Sequence, residues 1–136
     1  MSPTPVEQLI QVRLQQAKES LEEAETLYRS ALLRGAINRA YYAMFYAVLA
    51  LTVLRQETTS KHSGVIAFFD KEFVKSGIFS KELSKSLHLA FQRRQENDYG
   101  DVFLVNDEDA RLALLEASSF VASIEKYLES TTRLPG

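Results

Sequence analysis

Residues 38–54, NRAYYAMFYAVLALTVL, leave this chain few folds to choose from. In a helix over 36–55, Ile37, Tyr41, Met44, Val48 and Leu51 recur in steps of four and three and form one apolar seam. Tyr42, Phe45, Leu49 and Val53 form a second seam beside it. A helix with two seams needs neighbours on more than one side. It is either the central helix of a bundle or packs partly inside the monomer and partly across a subunit interface. The uncharged run 40–54 holds three tyrosines and is shorter than the ~20 residues that span a bilayer. It therefore reads as a buried core helix, with no membrane partner.

The rest of the chain agrees with a helical bundle. All three prolines lie within five residues of a terminus, so none breaks an interior helix. Four more helices are legible. Helix one is expected over 5–33, with Thr4 as N-cap, Pro5 at the first position and Arg34-Gly35 closing it. Its apolar stripe is Val6, Ile10, Ala17, Leu21, Ala24, Tyr28 and Ala31. Helix three starts near 60–62, carries Val65, Ile66, Phe69 and Phe73, and ends by Gly77. Helix four runs from the N-cap Ser80 to near 98. Helix five follows the N-cap Asn106 with the stripe Ala110, Ala113, Ala117, Val121, Ile124 and Leu128. Short connections favour antiparallel neighbours. The expected fold is an all-α, antiparallel four- to five-helix up-and-down bundle forming a single domain over 1–136.

Composition narrows the function classes. Without cysteine there is no disulfide, thiolate metal site or Cys nucleophile. Two histidines and no helix-spaced His/Glu cluster leave no metal site to expect, and the five scattered glycines form no phosphate loop. The first residues lack the basic start and apolar run of a signal peptide, so a cytoplasmic location is expected. Net charge is only −2, yet residues 55–94 carry eight Lys/Arg against four acids, and residues 95–136 carry three against nine. The middle of the chain is thus a candidate anion-attracting region.

Helix four holds the strongest chemical signal, RRQENDY at 93–99. Leu83, Leu87 and Ala90 mark its inward side, and at 100° per residue Arg94 lies about 20° from Leu83 and Asp98 about 60°. Arg93 falls some 80° to the other side. An arginine that continues an apolar stripe needs a partner. Either Arg94 and Asp98 form an i,i+4 ion pair closing the bundle, or Asp98 orients Arg94 to bind a phosphate. His88 lies about 120° round from Arg94 and reads as a surface residue. Arg39, which opens the aromatic helix, and His62, in KHSG, are further candidates if they line the same cleft. The aromatic set Tyr41, Tyr42, Phe45 and Tyr46 reads as core, with the hydroxyl of Tyr46 or Tyr42 available to a cleft.

In order along the chain, NRAYYAMFYAVLAL, KHSGVIAFF, FVKSG and R-x-x-x-D-Y resemble the HEPN superfamily over residues 15–128. They resemble in particular its small stand-alone prokaryotic members, often encoded beside a minimal nucleotidyltransferase. The resemblance implies a homodimer with the arginine motif facing a cleft at the interface. It also implies a toxin–antitoxin-like or stress-response module with the nucleotidyltransferase as partner, and no cofactor. Active toxins of the family are metal-independent ribonucleases with an Arg-x(4–6)-His motif. In some pairs the partner adds AMP to a tyrosine just after that histidine.

Carried over, Arg94 is the catalytic arginine with Arg93 beside it, and Tyr99 is the candidate modification site. The histidine position holds Asp98 or Tyr99. Arg94, Asp98 and Tyr99 are therefore the candidate catalytic set, and Arg93, Arg39 and His62 the candidate phosphate- or nucleotide-binding set. A solvated Asp98 is a weak base at neutral pH, and Tyr99, with an ordinary pKa near ~10, a poor one. That departure keeps a second reading open: a non-catalytic helical dimer that binds a nucleotide or RNA, or docks the partner.

Overall fold

A computed structural model describes residues 2–59, 61–99 and 105–132, with 97–99 described as helix backbone alone. Among the described residues all regular structure is helical: α1 (Pro5–Arg29), α2 (Leu33–Leu54), α3 (His62–Phe69), α4 (Lys81–Tyr99) and α5 (Asp107–Thr131). α3 runs on as a π-helical turn over Asp70–Val74. This is a HEPN-like helical bundle.

Local chemistry places most helix starts where they are expected. Thr4 and Glu7 close a reciprocal capping box on α1, with Glu7 N–H donating to Thr4 Oγ1 at 3.1 Å and Thr4 N–H to Glu7 Oε1 at 2.8 Å. Leu83 N–H donates to Ser80 Oγ at 3.3 Å, and Asp109 N–H to Asn106 Oδ1 at 2.8 Å, capping α4 and α5.

The α1–α2 boundary corrects the sequence reading. α1 ends at Arg29 and not at Arg34-Gly35, and Ala31 takes the left-handed conformation with φ 60. Leu32 N–H donates to Leu27 C=O at 2.8 Å and seals the turn. Gly35 lies inside the first turns of α2, where an added Cβ would stand 3.2 Å from Leu27 Cδ1. The glycine therefore serves the close approach of two helices rather than a helix stop. The turn residue is an alanine, whose left-handed backbone costs roughly 1–2 kcal/mol that packing must offset. Among the described residues, the glycine with the left-handed conformation is Gly77, φ 87, in the turn before α4.

α2 is the core helix. Its first seam, Ile37, Tyr41, Met44, Val48 and Leu51, is at most 2% exposed. α1 packs along it most extensively, with α5 and α4 on its other sides. At 22 residues α2 is long and apolar enough to cross a membrane, but 61% of its apolar window is buried by the other helices. Length, on which the sequence reading relied, does not settle its setting; the burial identifies a core helix. Of the second seam only Phe45 is buried, while Tyr42, Leu49 and Val53 are half-buried.

The π turn gathers a second aromatic cluster. Lys75 N–H donates to Asp70 C=O at 2.8 Å, the i to i+5 step of the turn. Phe69 is fully buried, with ring centroids 5.4 Å from Phe120, 5.7 Å from Phe79 and 6.3 Å from Phe73. This cluster anchors α3 to α5 and so sets where His62, at the other end of α3, is held.

Candidate phosphate-binding site

The first half of α2, the start of α3 and the C-terminal half of α4 meet at one aromatic surface. Tyr41 and Tyr42 provide its centre, with rings 5.4 Å apart in an edge-on pair. Consecutive residues on a helix diverge by 100°, so Tyr41 belongs to the buried seam and Tyr42 to the half-open one.

Three polar side chains converge there. Arg94 donates from Nη2 to Tyr42 Oη at 3.3 Å, and its guanidinium carbon is 5.8 Å from the Tyr42 centroid and 6.0 Å from that of Tyr41. Arg39 lies over the Tyr42 ring at 4.6 Å, with Nη1 3.7 Å from a Glu23 carboxylate oxygen. His62 stacks on Phe45 at 4.2 Å and 11°, and its Nδ1 is 2.6 Å from Tyr41 Oη. Phe91, one turn before Arg94, closes the nest 6.3 Å from the His62 ring. Arg94, Arg39 and His62, separated by up to 55 positions in the chain, thus share one pair of tyrosines.

The other sequence candidates are Arg93, Asp98 and Tyr99, with His88 read as a surface residue. Arg93 faces α5, where Nη1 is 3.7 Å from Glu116 Oε2 in a seam that leaves the arginine side chain only 14% exposed. Both atoms are buried without a hydrogen bond, so the pair neutralises itself through space and points away from the tyrosines. Asp98 and Tyr99 lie on the last turn of α4, but their side chains fall outside the described residues. His88 is exposed and pairs with Asp70 at 2.6 Å; Ser84 donates to the other Asp70 oxygen, also at 2.6 Å. Among the described residues no group of three or more His, Cys, Asp or Glu could hold a metal ion.

The sequence reading left Tyr41, Tyr42 and Phe91 out of the candidate set. The signal for the first two was present: position 45 of the same helix carries phenylalanine, yet 41 and 42 carry hydroxyls that a core would have to satisfy. Nothing in the local pattern distinguishes Phe91 from an ordinary packing residue.

Electrostatics keeps the nest neutral apart from its arginines. Burial holds the Tyr41 hydroxyl protonated, well above its ordinary 10.0. Burial, and then the Arg94 charge, push His62 below 6.5. The unfolded chain therefore binds more protons than the folded one as pH falls through the ordinary histidine range, so His62 lowers stability there and is silent at neutral pH. The drop in urea midpoint from pH 7.5 to pH 5 is expected to be smaller in His62→Gln than in the parent. Equal drops would contradict the burial.

A groove of about 740 Å³ runs between α1 and α2, and its lining includes Gln16, Glu19, Glu22, Glu23 and Arg39. Three carboxylates against one arginine disfavour a polyanion there. The aromatic surface around Arg94 has the better chemistry for a phosphate: guanidinium donors, a neutral imidazole and flat faces for a base.

The chain is similar to prokaryotic proteins along most of its length. The chain is 39% identical over 127 residues to the "UPF0332 protein" of Thermotoga maritima, covering 93% of this chain and 96% of that one. It is 37% identical to "Putative toxin MJ0142" of Methanocaldococcus jannaschii over 90% of this chain and 84% of that one. A second protein of that organism, "Putative toxin MJ0605", is 32% identical over 88% and 89%. The model of the HEPN domain matches residues 10–127, from the second turn of α1 to the last turns of α5, and the chain belongs to the HEPN domain family.

Proposed function

We propose that this chain is the toxin-like half of a two-component, toxin–antitoxin-like or stress-response module whose other half is a minimal nucleotidyltransferase, and that its target is RNA. The observation that carries the reading is the convergence of Arg94, Arg39 and His62 on Tyr41 and Tyr42. Guanidinium groups bind phosphate by paired N–H donors, and the half-buried Tyr42 offers a base part of an aromatic ring. The names of the Methanocaldococcus relatives support the toxin-like part.

In this reading Arg94 binds the scissile phosphate and stabilises the charge that develops on it, without a metal. Arg39 holds a neighbouring phosphate by exchanging Glu23 for it. Asp98, one turn beyond Arg94, orients that arginine, and Tyr99 accepts the modification from the partner. Arg93 serves the α4–α5 seam through Glu116. The half-buried Tyr42, Leu49 and Val53 suit a homodimer through α2 and the end of α4.

The test is cleavage of a mixed RNA pool in EDTA by the purified protein, beside Arg94→Ala. Intact mass is recorded before and after incubation with the partner and ATP. Cleavage lost in the variant, and a nucleotide mass gained by the parent but not by Tyr99→Phe, are expected. Sedimentation should give a dimer of the 15.4 kDa chain. A second reading, a non-catalytic nucleotide- or RNA-binding dimer, is favoured by the absence of histidine from the motif. RNA binding that needs Arg94, without cleavage in any sample, would establish it instead.

A further inference from the structure

The Tyr41–His62 pair has a chemical consequence for the same site. Tyr41 is fully buried and its hydroxyl is held protonated, so the proton needs an acceptor. His62 Nδ1, at 2.6 Å, is its hydrogen-bond partner. Tyr41 O–H therefore donates to Nδ1, and a neutral imidazole must then carry its own hydrogen on Nε2. The stacked rings of Phe45, Tyr41 and Phe91 hold the plane of the imidazole, so Nε2 leads away from Tyr41 in a set direction. Nε2 makes no hydrogen bond among the described residues.

We propose that His62 is a neutral hydrogen-bond donor to the phosphate that Arg94 binds, and that Tyr41 is the positioning residue that locks it in this tautomer. The inference rests on the phosphate reading above and sharpens it. A lone pair on Nε2 would make His62 a base able to take the 2′-hydroxyl proton. The tautomer set by Tyr41 leaves that nitrogen an N–H instead, which stabilises a phosphate oxygen and moves no proton. Proton transfer then belongs to other groups, and His62 does not stand in for the histidine missing from the motif. A glutamine amide can place an N–H near the same point, whereas a phenylalanine keeps the stacking and has no donor.

The probe is a fluorescein-labelled decanucleotide of 2′-O-methyl RNA, which cannot be cleaved, followed by anisotropy with the full chain in EDTA. Arg94→Ala and His62→Phe are each expected to weaken binding by about tenfold or more, a charge-assisted hydrogen bond's worth. His62→Gln should stay within about threefold of the parent. Nitrogen-15 spectra of the parent should show a single His62 tautomer with its hydrogen on Nε2, and Tyr41→Phe should mix the two. Binding by His62→Phe equal to the parent, or His62→Gln as weak as His62→Phe, overturns the donor role. A spectrum with the hydrogen on Nδ1 overturns the lock. If Arg94→Ala also binds like the parent, the phosphate reading of the whole site fails with it.

Discussion

In the proposed ribonuclease reading, Arg94→Ala is expected to reduce RNA cleavage by about 100- to 1000-fold, the loss that follows removal of one preorganised charge-stabilising donor. The argument depends on where the guanidinium is held. Arg94 is half-buried on the α2-facing side of α4, with Tyr42 Oη at 3.3 Å and the Tyr41 and Tyr42 rings about it. Its position is set before a ligand arrives, so little reorganisation accompanies the reaction. Lysine should recover only part of the rate, because a point charge lacks the two-pronged donor geometry.

Stability separates this from a folding defect. The hydrogen bond to Tyr42 and the two cation–π contacts near 6 Å are together worth about 1–2 kcal/mol, and the urea midpoint of Arg94→Ala is measured beside its activity. A folded Arg94→Ala variant that cleaves as fast as the parent would remove Arg94 from the chemistry.

Phe69→Ala should lower the unfolding free energy by about 3–5 kcal/mol, measured as a urea midpoint at constant slope. Phe69 is fully buried and touches Phe73, Phe79 and Phe120, which come from the π turn, the turn before α4, and α5. Truncation would remove the ring from three partners at once and leave a void between elements that the backbone cannot collapse locally. Against a total of about 5–15 kcal/mol for an ordinary domain, this is a large share. A loss below about 1 kcal/mol would mean that the cluster repacks and does not anchor α3. Because α3 also carries His62, the variant is expected to weaken the probe RNA's binding too, although Phe69 lies far along the helix from the site.

Some of this was written locally in the chain. The capping residues Thr4, Ser80 and Asn106 act through hydrogen bonds to residues three positions away, so the sequence alone marks the helix starts. The first seam of α2 and the stripe of α5 were legible because helical periodicity is itself local. The resemblance that led to the family also depended on segments in order rather than on contacts.

The misplaced boundary shows where local reading stops. Gly35 looked like a helix stop because glycine commonly is one, but its role is to admit Leu27 from the neighbouring helix. The same limit applied to the site. The 100° step correctly put Arg93 and Arg94 on different faces, but it could not say that one would meet Glu116 of α5 and the other Tyr42 of α2.

By itself, then, the sequence determined a helical bundle, its core helix, its family and the arginine to suspect. Only the tertiary structure brought His62 and Arg39 to the tyrosines that Arg94 meets, and set Tyr41 Oη 2.6 Å from His62 Nδ1. Periodicity and capping are properties of a few consecutive residues. A site assembled from positions 39, 41, 42, 62 and 94 depends on how three helices pack, and no local pattern encodes that distance.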